Sequence, residues 1–150
     1  MPVRALFVAA LCVGLATQVC ADEKKNETDL KAMVGKWTVE KAELGGKDLT
    51  GQFKTLKFEI RDGGKYTTEI GDIKDEGAFT IDAAKTPKEV DIKPVSGPSK
   101  GKTLKAIYKI DGDSFVVCYE FNTESGTRPE TFESKANSTA LLVTYKREKK

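Results

Sequence analysis

The chain has 150 residues, with 25 lysines and arginines against 23 aspartates and glutamates, a net charge of +2, and both signs interspersed along its length. That pattern describes a solvated surface and not the basic stripe of a nucleic-acid binder. Histidine is absent, which removes Ser-His-Asp and Cys-His catalysis, imidazole-ligated metals and the usual general base near neutral pH. The expectation is a protein that is not an enzyme and that carries no cofactor or metal.

The chain opens with Met1-Pro2-Val3-Arg4, one positive charge, followed by an uncharged apolar run from Ala5 to Thr17. Gln18 is polar, and Val19 and Ala21 occupy the −3 and −1 positions of a cut after Ala21. This is the layout of a secretory signal peptide over residues 1–21. The apolar run falls short of the roughly 20 residues that a membrane-spanning helix needs. A lipid-modified Cys20 is the rival reading, but Thr17, Gln18 and Val19 before it fit a lipoprotein signal poorly. The expectation is export to the periplasm or the extracellular space, with residues 22–150 as one domain, a monomer, of a size that needs no staples. Cys12 and Cys20 leave with the leader, so Cys118 is the one remaining cysteine and no disulfide forms within the mature chain. Its apolar setting, Phe115-Val116-Val117-Cys118-Tyr119, marks an inert buried thiol.

Residues 22–27 are all polar and predict a frayed start. A two-turn helix is expected next, capped by Asn26 or Thr28, with Leu30, Met33 and Val34 on one face and Gly35 ending it. From Lys36 the period changes to two. Trp37, Val39 and Lys41 share one row, as do Leu56, Phe58 and Ile60, then Tyr66, Thr68 and Ile70. Phe79 with Ile81, Val90 with Ile92, and Leu104, Ala106, Tyr108 and Ile110 continue it, followed by Phe115, Val117 and Tyr119 and by Leu141, Val143 and Tyr145. Such alternation predicts half-buried antiparallel strands. Asp62-Gly63-Gly64 and Asp111-Gly112-Asp113 are hairpin turns between them. Eight or nine short strands in a meander avoid exposed edges most simply by closing on themselves. The fold class is therefore all-β, an antiparallel up-and-down barrel of about 8 strands behind a short N-terminal helix.

Gly35-Lys36-Trp37 after a helix and opening the first strand resembles the Gly-x-Trp signature of lipocalin-type barrels. The resemblance implies that Trp37 packs at the closed end, with Arg147 of the last strand lying across its ring. Longer stretches are similar to a bacterial family of exported, planctomycete-type lipocalin-like domains. They are Glu76 to Asp82, Lys85 to Ile92, Gly97 to Thr103, Ile107 to Asp113, Cys118 and Arg128 to Phe132. The likeness spans about residues 29–147; one departure is Ala106, where the family pattern has glycine before Ile-Tyr. The resemblance implies the barrel and the export but brings no activity.

Other strings yield to simpler readings. Gly97 to Thr103 looks like a phosphate-binding loop, but only three residues separate its glycines and a strand follows where a helix is needed. Asp111 to Ser114 and Asp72 to Glu76 lack a calcium-loop spacing, and the pair Asp75 and Glu76 reads as solvated. Asn26-Glu27-Thr28 and Asn137-Ser138-Thr139 are glycosylation sequons that a bacterial protein would leave bare. Tyr108 and Tyr119, with Trp37, are candidates to line a cavity, because a buried phenol needs a partner. Arg128, just past the loop of residues 122–127, is a candidate for the barrel mouth.

Two functions remain open. The barrel holds a small apolar molecule, or its interior is filled by its own side chains and it acts through its surface as a structural or interaction module. The bulk of Phe58, Phe79, Tyr108, Phe115 and Tyr119 leans towards a small or filled interior. Intact-mass measurement of the protein from its native host should give a chain starting at Asp22; an acylated Cys20 would mean a lipoprotein instead.

Overall fold

The computed structural model describes residues 15–149, with side chains from Gln18 onward, so the expected leader lies mostly outside the described residues. A helix, α1, runs from Leu15 to Met33. Strands β1 (Gly35–Leu44) and β2 (Lys47–Asp48) follow, then a single helical turn α2 (Thr50–Phe53), β3 (Lys57–Arg61), β4 (Lys65–Ile70) and β5 (Ile73–Asp82). The remaining strands are β6 (Lys88–Pro94), β7 (Leu104–Asp111), β8 (Ser114–Glu120) and β9 (Ala140–Arg147). Each strand from β3 to β9 pairs antiparallel with the next, β3 pairs with β1, and β1 pairs with β9. Eight strands thus close into a barrel, and two-residue β2 only extends the hairpin of β1. The alternation of the sequence explains the result: each strand turns one apolar row inward, and closure leaves no strand edge to shield.

One row is shifted. Lys41 falls on the inward side by strict alternation, but a bulge between Val39 and Lys41 inserts Glu40 against β9. The extra residue flips the register, so Ala42 is buried with no exposure and Lys41 lies in solvent. The barrel thereby avoids enclosing an unpaired ammonium.

The helix also differs from expectation. Residues 22–27 are helical and not frayed, and α1 is 19 residues long. Neither Asn26 nor Thr28 caps it. Asn26 Oδ1 accepts a 2.7 Å hydrogen bond from the Ala83 amide in the β5–β6 turn, and the Thr28 hydroxyl donates back to the Lys24 carbonyl. A helix so polar has little apolar face of its own, and tertiary anchors hold it in place. Those anchors lie beyond Ala21: Asn26, Asp29, Leu30 and Met33.

The end of the barrel under α1 is closed by the contact that the resemblance implies. The Arg147 guanidinium lies 4.2 Å from the centroid of the Trp37 ring. It donates to the carbonyls of Val34 (2.8 Å) and Ala32 (2.6 Å) and pairs with Asp113 at 3.2 Å. The Trp37 indole donates to the Met33 carbonyl at 2.9 Å. Together the two side chains satisfy carbonyls that the helix end leaves without intrahelical partners. Gly35 is required beside them: at φ +144° a Cβ there would sit 2.7 Å from Arg147 Nη1.

Inside, Phe115 is the hub of an aromatic layer. Its ring meets those of Trp37 (5.5 Å), Tyr145 (5.9 Å), Phe58 (6.4 Å) and Tyr108 (6.4 Å). The layer fills the waist of the barrel and separates the closed half from the other.

Trp37→Ala should cost about 3–5 kcal/mol in a urea melt, as for other large buried aromatics. Arg147→Ala, which loses the ring contact and the bonds to the helix end, should cost about 1–3 kcal/mol. A near-neutral Trp37→Ala would show that this end is held by something else.

Candidate functional site

Above the aromatic layer, at the end away from α1, the barrel contains a cavity of about 340 Å³. Phe58, Phe115 and Tyr145 form its floor, Phe79, Val90, Ile92, Leu104, Val117, Leu141 and Val143 its walls, and Phe53, Leu56, Ile73, Pro98 and Phe121 its upper part. The size sits at the low end of the roughly 300–1,000 Å³ typical of small-molecule sites. Ile73 and Phe121 are exposed large apolar residues, and so is Val95, which follows β6 at this same end. The mouth is therefore apolar as well as the interior. A larger surface groove, about 670 Å³, lies where β1 parts from β3. It is flanked by Lys36, Lys54 and Lys57 on one hand and Glu59, Glu69 and Glu148 on the other, and such mixed, solvated charge gives little selectivity.

Few polar groups face the cavity. The hydroxyls of Tyr119 and Tyr145 hydrogen-bond each other at 3.0 Å. Burial pushes the Tyr145 phenol up to about 12, and burial with the neighbouring Tyr145 raises Tyr119 well above its ordinary value. Across the barrel, Thr68 stands opposite Asp75 in the β4–β5 pairing and Tyr66 opposite Gly77. Tyr66 and Asp75 thus lie diagonally adjacent on the inner face, within mutual reach. Burial raises the Asp75 carboxyl above the usual carboxylate range; the Glu76 backbone amide and the Tyr66 phenol pull it down less, and the Glu76 charge adds to the rise. Burial and the Asp75 charge also raise Tyr66. Asp75 Oδ1 is buried and has no hydrogen-bond partner among the described residues.

The loop between β6 and β7 explains that burial. Ser96 Oγ accepts from the Glu76 amide at 3.0 Å, and the Val95 amide donates to the Glu76 carbonyl at 2.8 Å. This lays Gly97 on the Asp75 side chain, where a Cβ at Gly97 would come within 3.2 Å of Oδ1. The string that looked like a phosphate-binding loop is a turn that roofs a carboxylate.

The residues singled out from the sequence therefore separate. Tyr119 lines the cavity. Tyr108 points inward but lies in the closed half, outside the cavity lining; its hydroxyl donates to Asp29 Oδ2 at 2.8 Å, an atom that Lys88 also engages at 2.7 Å. Its role there is to seat α1. Arg128 is not at the mouth. It donates to the carbonyls of Val90 (3.0 Å) and Ala106 (2.8 Å) and pairs with Asp91 and Glu89. Arg128 thereby straps the segment of residues 121–139 to the outer wall. Under that strap Ile107, Cys118 and Ala140 form a second small core with Phe132, and burial pushes the Cys118 thiol up to about 11. Gly35, Trp37 and Arg147 lie at the closed end. Missed from the sequence were Asp75, Tyr66 and Tyr145. Asp75 stands in phase with Gly77, Phe79 and Ile81, and that parity was the available signal that it faces inward.

No family model, curated protein or solved structure matches the chain.

The raised Asp75 carboxyl has a consequence for stability. A carboxyl whose pKa is higher folded than unfolded favours the fold below its unfolded value and disfavours it once pH exceeds the folded value. The groups about it are Tyr66 and Thr68 on β4, Glu76 beside it and the backbone of Gly97, with no cation among them. Asp75→Asn should therefore raise the melting temperature of the free protein near neutral pH. The gain should shrink as pH falls to the ordinary carboxylate range; a gain independent of pH would contradict the assignment.

Proposed function

We propose that this barrel is an exported carrier that holds one small, mainly apolar molecule in the half away from Trp37. The observation that carries the reading is the cavity above the Phe115 layer, with apolar walls, an apolar mouth and a few convergent polar groups. An eight-stranded barrel has room for one such ligand, and apolar pockets with sparse, fixed polar groups are the usual form of small-molecule sites. The cavity is what favours this reading over the rival, a barrel filled by its own side chains. Export rests on the layout of residues 1–21, and the lipocalin-like reading on Gly35-Lys36-Trp37 and its contact with Arg147.

An uncharged apolar fluorophore such as N-phenyl-1-naphthylamine should bind with one-to-one stoichiometry. At about 100 times its Kd it should stabilise the fold by about 2.7 kcal/mol, because the ligand binds only the folded state. Tyr119→Trp, inside the cavity, should change the affinity. Arg61→Ala, whose guanidinium bonds the Thr67 hydroxyl on the outer face, should not. Absence of binding and of a thermal shift would leave the filled, surface-acting module as the better account.

A further inference from the structure

Of the groups that line the cavity, Asp75 is the one that carries a formal charge, and no lysine or arginine is among them. An anionic head group, such as a fatty-acid carboxylate, would find no cation there and would face a carboxylate instead. A ligand with a hydrogen-bond donor would find several acceptors: the Asp75 carboxylate and the oxygens of Tyr66, Tyr119 and Thr68. We infer that the occupant is an amphiphilic amine, an apolar body ending in an ammonium that donates to Asp75 beneath the Gly97 turn.

The inference rests on the carrier reading, and it explains a cost that the carrier reading leaves unexplained. A buried carboxylate oxygen without a partner opposes folding, and the turn at Gly97 closes over this one. An arriving ammonium supplies to the carboxylate the opposite charge that the lining does not. The geometry trades stability of the free barrel for selectivity towards one charge type.

Octylamine, 1-octanol and octanoate share a chain length and differ in the head group, and titration calorimetry below their micellar concentrations separates them. Octylamine should bind at least about tenfold tighter than 1-octanol, in the range of a hydrogen bond to a charged group, and octanoate weakest. Asp75→Asn should bring octylamine down to the affinity of 1-octanol and leave 1-octanol unchanged. In the unaltered protein, where folding of the variant is not at issue, the carboxyl carbon resonance of Asp75 should move with octylamine and stay in place with 1-octanol. Octanoate binding as tightly as octylamine, an amine preference that survives Asp75→Asn, or an unmoved Asp75 resonance would overturn the amine assignment while keeping the carrier. Failure of all three to bind, together with failure of N-phenyl-1-naphthylamine, would overturn both.

Discussion

The contact on which the structure depends is that between Arg147 and Trp37. One guanidinium joins four elements: its face covers a ring on the first strand, and its edge bonds the Ala32 carbonyl of α1, the Val34 carbonyl just past it and Asp113 of the β7–β8 turn. Arginine suits this place because its planar fork donates in several directions at once while its face stacks, which a lysine cannot do. Each partner would otherwise be left incomplete: a helix end with unpaired carbonyls, a large apolar ring at the rim and a barrel seam without a clasp. The three needs are met by one residue, and Gly35 is what lets it approach.

That clasp makes the barrel asymmetric, with the cavity in the half away from it. At the clasped end Met33 of the helix, the indole and the aromatic layer are buried in one continuous core. At the other end α2, the β6–β7 turn and the start of β5 stand farther apart, and the space between them remains. Polar chemistry is divided in the same way. Asp29 in the closed half is met by a lysine and a tyrosine hydroxyl, whereas Asp75 has the Tyr66 phenol beside it and no cation among the cavity lining. One carboxylate is tied into the fold, and the other lines the cavity.

Much of the fold was legible because strands buried on one face write their period into the sequence. The inward rows of Phe58, Phe115, Tyr145 and their neighbours read directly, and so did the turns, whereas the Trp37–Arg147 closure came from the resemblance to lipocalin-type barrels. What was not legible depended on partners far along the chain. Lys41 and Ala42 exchange faces because of a bulge that only the pairing with β9 reveals. Asp22 to Glu27 look like a solvated tail, and they are helical in a helix anchored by Asn26 and Asp29. Arg128 looks like a loop cation, but its partners Asp91, Val90 and Ala106 come from two strands that no local pattern links to it. Asp75 was set aside as one of a solvated pair, although its parity with Phe79 already placed it inside. Parity tells which way a side chain points, but not whether the space it enters is filled.

The β1–β9 seam bears on how the chain reaches this state. Arg147 meets Ala32 across 115 residues of chain, and proteins dominated by such distant pairings gather their native contacts slowly. Until the final strand is present, β1 and β8 are two open edges, the indole is uncovered and the end of α1 has no donors to bond. A chain still lacking β9 therefore has at most an open ribbon of strands. Strand β9 turns that ribbon into a closed barrel, so the barrel forms only once its final strand has been made.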